Sequence, residues 1–352
     1  MPIRSVAFGM VVMVTAMACG SRAPSAPSSN PSGVPGFSVS PPSGGVAQFT
    51  VIPVDLTVRD SLTALGNLNP PGHTLPTDHV YFYQGSLSTL NPFGAGGTRT
   101  VRAPTTGAVL QMLAGSLGEY KVVFIVTPTF QYYFDHLVPR AGLAVGQTVN
   151  AGDIVGTSST TLDLGAFDYT TTLTGFVTSS RYGDQTLHCV SPWKYFVEPL
   201  RSQVYSFVYR APTAPDRDGK IDFDIPGRLV GAWYDPSVPS TGGDASWGPS
   251  SWPKSMTFAY DYYDPSQVRI AIGGTIAAPG VWAIDASAPP PADVSVATGK
   301  IVYRLMSPFD AFVQYGVMAV QMITDTTMKV EVFPGVTDTG VTFDANAHTW
   351  TR

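Results

Sequence analysis

The sequence predicts a mostly β protein made of two successive β halves, each a sandwich or a barrel. Three observations predict this. Beyond the N-terminal apolar segment no stretch of helical period and useful length occurs. The apolar residues fall instead in short β-branched or aromatic runs: VVFIV (122–126), QVYSFVY (203–209), MTFAYDYY (256–263), QVRIAIGG (267–274), KIVYRLM (300–306) and MKVEVF (328–333). The runs are separated by Gly, Pro, Asn and Asp, and 35 Gly and 31 Pro supply the turns that many short strands require. With 44% hydrophobic and 13% charged residues, the chain can build one large core or two ordinary ones.

In chain order, the N-terminus is a targeting segment. Arg4 precedes the apolar run VAFGMVVMVTAMA (6–18), which is too short to span a bilayer and has the length of a signal-peptide core. Residues 1–18 are therefore read as a signal peptide. The small residues Ala16 and Ala18 directly before Cys19 resemble a bacterial lipobox, which implies cleavage before Cys19 and acylation of its thiol. The expected location is the bacterial cell envelope, with the chain held to a membrane by lipid and facing the periplasm or exterior. Residues 19–46, rich in Ser, Pro and Gly, have too little apolar surface to offset their ordering entropy and are expected to be a tether.

The formal charge of −5 and the lack of any Lys/Arg cluster argue against a nucleic-acid partner. If Cys19 carries lipid, Cys189 has no partner, and no structural disulfide is expected. The strand rhythm breaks at VTSSRYGDQTLHCVSPWKYF (177–196). This places a first β domain at 47–178, a connector at 179–192 and a C-terminal β domain at 193–352. Ser191 as N-cap and Pro192 at the first position open a short helix.

The candidate chemistry lies in the first domain. GHTLPTDHVYFYQG (72–85) sets His73, Asp78 and His79 just ahead of an aromatic strand, and these are residue types that zinc takes as ligands. Further on come VRAPTTGAVLQM (101–112), YYFDHLVP (132–139) and GLAVGQTVNAGDIVGTSS (142–159). The first and last are Gly-containing strand-turn-strand units, with tight turns expected at Gly107 and Gly152. Biotinyl and lipoyl carriers share such hairpins, but they present a modifiable lysine at a hairpin tip. Lys121 here heads an apolar strand.

In this order the four pieces resemble the M23 (lysostaphin/LytM-like) metallopeptidase domain: APxxGxV, YxHL with Phe134 in the Tyr place, VGQxVxAGxxIGxSG, and a His/Asp cluster before them. The resemblance covers about a third of the chain and implies a barrel-sandwich hybrid. It also implies a zinc site whose ligands are the His and Asp of HxxxD and the last His of HxH, assisted by the first His of HxH and the His of YxHL. His136 matches the assisting position. His73 is the candidate first ligand. Asp78 lies five positions on rather than four, so either Asp78 or His79 takes the Asp place. Where HLHFEV would stand, the chain has TLDLGAFDY (161–169), with no histidine. Thr161, Asp163 and Gly165 share a strand face by alternation, and Asp163 is the residue there able to ligate a metal. A His73/His79/Asp163 set is admissible for zinc but is not the family's set.

Residues 193–352 carry no motif set that points to a family. APDRDGKIDFD holds the calcium-loop core at Asp216, Asp218 and Gly219, but Ala214 and Ile225 stand where an EF-hand needs acids, so a hairpin tip is expected. Trp247 and Trp252 share the loop STGGDASWGPSSWPKS, which is expected to fold back on the sheet. FDANAHTWTR (343–352) reads as a last strand closing its domain. No GxSxG elbow or phosphate loop is present. Without the HxH motif the sequence points to binding rather than chemistry: an anchored, degenerate M23-like lipoprotein that holds peptidoglycan or an envelope protein. The alternatives are a zinc endopeptidase with substituted ligands and a purely structural interaction protein.

Overall fold

The structure is a computed structural model, and it describes residues 36–58, 60–84, 97–159, 161–241, 250–310 and 313–352. The leader, Cys19, the start of the tether and Trp247 lie outside the described residues. Two β units follow one another, as expected.

The first unit is built from β1 (Ser61–Leu62), β2 (His79–Tyr83), β3 (Arg99–Arg102), β4 (Gly107–Ala114), β5 (Tyr120–Thr127), β6 (Phe130–Pro139), β7 (Thr148–Val149), β8 (Ile154–Ser158), β9 (Leu162–Asp168) and β10 (Cys189–Val190). Its main path runs β1-β2-β9-β6-β5-β4-β7, while β8 pairs with β3 and β6, and β10 continues along β9 where β2 ends. The run VVFIV is fully buried because β5 is covered on both faces. Val122, Phe124 and Val126 enter the main core, and Val123 packs with Tyr133 and Phe167 on the other side. Phe124 stacks on Tyr132 with ring centroids 4.7 Å apart.

The two expected Gly turns differ in kind. Gly152 has φ +86, a conformation that side chains rarely adopt, whereas Gly107 begins β4 where a Cβ would come within 3.2 Å of the Ile125 carbonyl oxygen. The tether assigned through residue 46 ends earlier than expected. Phe37 packs against Tyr169, and the Val46 carbonyl accepts from the Thr105 hydroxyl.

Between the units lie α1 (Asp184–Leu187), a 3-10 turn at Pro192–Tyr195 and α2 (Leu200–Phe207). Ser191 precedes the turn, but its hydroxyl caps nothing. QVYSFVY, read as a strand, is instead largely α2. Leu200, Val204 and Val208 recur at helical spacing, and burial of Val204 and Val208 in the first core decides against the β-prone composition. Trp193, Phe196 and Ile221 join the same core, so the 192/193 boundary falls inside it.

The second unit is a closed barrel of β11 (Gly231–Tyr234), β12 (Ser255–Tyr260), β13 (Val268–Ile272), β14 (Gly280–Ile284), β15 (Ile301–Met306), β16 (Gln314–Thr324), β17 (Thr327–Pro334) and β18 (His348–Thr351). Each strand pairs antiparallel with the next, and the C-terminal strand returns to β11. Trp233, Trp350, Tyr303, Phe258 and four methionines fill its interior. Asp216 accepts the amides of Asp218 and Gly219, which makes the calcium-like segment a polar turn.

Candidate functional site

Three neighbouring strands place the site residues in two rows. His79 on β2, Gly165 on β9 and Tyr133 on β6 are paired across one row, and Tyr81, Asp163 and Asp135 across the next. His136 comes from the same strand as Tyr133. The pairing of β5 with β6 slips between Tyr120/Leu137 and Val122/Phe134, and His136 sits in this bulge with φ +56. The extra residue re-aims its imidazole toward β9. His73 arrives on a loop closed by reciprocal backbone bonds between Asn69 and His73.

Most of the polar groups are engaged with one another. His79 bonds Asp78 Oδ1 through Nδ1 at 2.9 Å and the Tyr81 hydroxyl through Nε2 at 2.9 Å. The same Nε2 lies 3.4 Å from Asp163 Oδ2, which also faces His136 Nε2 at 3.7 Å. His136 Nδ1 bonds Glu119 Oε2 at 2.8 Å. The Tyr133 hydroxyl donates to Asp78 Oδ1 at 3.2 Å, and the Cys189 thiol donates to the Asp78 carbonyl. Lys121 lies 3.9 Å over the Tyr133 ring. Asp78, His79 and Asp163 are all buried.

Burial and neighbouring charge set the protonation of these groups. For Asp78 burial favours the neutral acid, but the His79 bond and charge outweigh it and hold the carboxyl down at about 2. Burial also opposes charge on His79, yet the Asp78 bond and Asp163 raise its pKa above the ordinary value. Burial pushes Asp163 up against the pull of His136 and His79. Burial, with His79 adding to it, takes His73 down to about 3, so His73 is neutral.

The expected zinc set is not assembled. His79 stands beside Asp78 and Asp163, and the His73 ring approaches edge-on with its centroid 5.2 Å from that of His79. Among the described residues, however, no three His, Cys, Asp or Glu side chains are placed to hold a metal ion. The donors point at each other, and His79 uses both ring nitrogens on protein groups. The position on β9 directly beside His79 is Gly165, and a Cβ there would lie 2.0 Å from Tyr133 Cε1. The tyrosine ring thus occupies the room that any side chain at 165 would need. Two buried atoms of the candidate ligands have no partner among the described residues, His73 Nδ1 and Asp163 Oδ1. They are the features that would suit a metal, whereas His79 already spends both ring nitrogens on Asp78 and Tyr81.

Sequence reasoning missed Glu119, Tyr81 and Tyr133. Alternation in HVYFY puts Tyr81 on the His79 face and could have found it. Glu119 reaches His136 only because a turn and a bulge bring them together, and neither has a sequence signature here.

Structural comparison finds partial likenesses to several solved structures. A crystal structure of Helicobacter pylori Csd3 aligns with 22% identity and a TM-score of 0.26, covering 35% of this chain and 33% of that one. A zinc containing peptidase from Vibrio cholerae aligns at 16% identity and a TM-score of 0.27, covering 35% and 37%. Lysostaphin aligns at 13% identity and a TM-score of 0.25, covering 83% and 87%. The chain spans about a third of the length of the Csd3 and Vibrio structures. No family model matches the chain, and no curated protein does.

Proposed function

We propose that this protein is a lipoprotein of the bacterial cell envelope, anchored through Cys19, whose first β unit is a non-catalytic relative of the M23 domain that binds peptidoglycan or an envelope protein. The observation that carries this reading is the run Asp78–His79–Asp163–His136–Glu119, in which His79 bonds Asp78, His136 bonds Glu119 and Asp163 faces both histidines, beside a glycine at 165. A hydrolytic zinc needs three converging ligands and an open fourth position, and the engagement of both His79 ring nitrogens by Asp78 and Tyr81 speaks for the binding reading. The competing reading, a zinc endopeptidase with substituted ligands, draws support from the orphaned His73 Nδ1 and Asp163 Oδ1.

One pair of measurements separates them. A chain starting at Gly20 is purified with zinc present and without chelator, and its metal content is measured by elemental mass spectrometry beside a His73→Ala control. The same protein is sedimented with purified peptidoglycan, and the soluble fraction is assayed for released fragments. The binding reading expects no stoichiometric zinc, co-sedimentation and no fragments. About one zinc per chain, lost in the control and accompanied by fragment release, would replace it with the hydrolase.

A further inference from the structure

The barrel's closure is its weakest seam. β12 to β18 are each joined to the preceding strand by at least two residue pairs, but β11 meets β18 through the single pair Tyr234/Thr351. A loop of the first unit crosses that seam. It leaves β9 after Asp168 and returns to the same sheet as β10, where Cys189 pairs with Phe167. At its far point Arg181 is buried against the barrel. Its Nη1 donates to the carbonyls of Val238 and Pro239 at 3.1 and 3.0 Å, just beyond β11, and its Nη2 donates to the Thr351 hydroxyl at 3.1 Å on β18. The guanidinium lies 4.7 Å over the Tyr234 ring, so both members of the closing pair are held by one side chain.

The rest of the loop is fastened alongside. The Tyr234 hydroxyl bonds that of Tyr182 at 2.6 Å, and Ser180 donates to the Ser240 carbonyl. Asp224 accepts the amides of Val177 in the loop and Ala232 in β11, one on each carboxylate oxygen. A planar, permanently charged fork with fixed donor directions suits a task that one flexible ammonium would not perform.

We propose that the β9–β10 loop is a clamp that holds the barrel shut through Arg181, so that the two β units form one mechanical body. The inference does not depend on what the His/Asp cluster binds. Because the loop's two ends flank that cluster, through Asp163 on β9 and Cys189 on β10, loosening the clamp frees the barrel from the strands that carry the site.

The test is hydrogen exchange by mass spectrometry on the full chain, comparing the wild type with Arg181→Ala, Arg181→Lys and Thr351→Val. Arg181→Ala is expected to speed exchange about tenfold or more in segments 230–238 and 348–352, while β5 and β6 keep their protection. Arg181→Lys should fall between it and the wild type, since lysine keeps the charge without the fork. Thr351→Val keeps the branched shape and removes one acceptor, and it should speed the same two segments by a few-fold. Unchanged seam exchange in Arg181→Ala, or a uniform rise across both units, would overturn the clamp. If Arg181→Ala does not fold, Thr351→Val decides alone, and unaltered exchange at 230–238 and 348–352 in that variant would be equally fatal to the idea.

Discussion

Two buried residue pairs show how single positions shape this fold. Asp60 receives both Arg99 terminal nitrogens, at 2.9 and 2.7 Å, and the Thr57 amide. Its carboxyl is 1% exposed. Burial alone would raise its pKa, but Arg99 and the Thr57 amide outweigh that and lower it. A carboxylate with a depressed folded-state pKa stabilises the fold above the unfolded value and loses that contribution as pH falls through the folded value. Asp60→Asn should therefore cost about 3 kcal/mol at neutral pH, and the gap from wild type should close as the pH drops below the usual carboxylate range. Urea denaturation at a series of pH values checks this; a gap constant with pH would show that the ion pair contributes nothing. Gly165 and Tyr133 form the second pair. Gly165→Ala forces a methyl into the Tyr133 ring and should cost about 1–3 kcal/mol by overpacking. In a Tyr133→Ala background the same change should cost much less, so a double-mutant cycle reads the contact directly. The sequence put Gly165 on the Asp163 face by alternation; it could not show that a tyrosine two strands' width from His79 packs over that glycine, because that follows from register.

At the scale of elements, the β4–β5 hairpin stores strain in a place the sequence did not mark. Its turn runs from Ser116 to Glu119, closed by the Glu119 amide donating to the Ser116 carbonyl, and both central residues have positive φ, Leu117 at 56 and Gly118 at 80. This is the geometry that favours Asn-Gly, yet a leucine stands there with its side chain 79% exposed. Leu117→Asn should stabilise the protein by about 1 kcal/mol, read as a rise in the denaturation midpoint at unchanged slope. No gain would mean that the leucine side chain makes up for its own backbone strain. The same hairpin ends on Glu119, which anchors His136. Most strand runs were legible because β-branched and aromatic residues alternate with turn formers. QVYSFVY misled for a physical reason: its composition is β-prone, but the spacing Leu200, Val204, Val208 lets a short helix bury one face in the first core.

At the scale of the whole molecule, the two units share an apolar contact as well as the loop. Leu75 from the His73 loop packs with Tyr182, Ala232, Tyr234 and Val238. Phe176 and Leu187 of the β9–β10 loop border the same cluster. Unfolding is expected to be a single transition, with tryptophan fluorescence, dominated by the barrel, and far-ultraviolet circular dichroism giving coincident curves. Two separated transitions would show that the units are independent. The amino-acid sequence by itself determined the β class, the two-part plan, the turns at Gly and Pro and the residue types that could hold a metal, because these depend on local periodicity, composition and backbone freedom. Only the tertiary structure decided how those residues are arranged around one another and where the first core ends. Strand register sets which side chains face each other, a bulge re-aims His136, and chain-distant groups complete the network, Glu119 bonding His136 and the Tyr133 hydroxyl donating to Asp78.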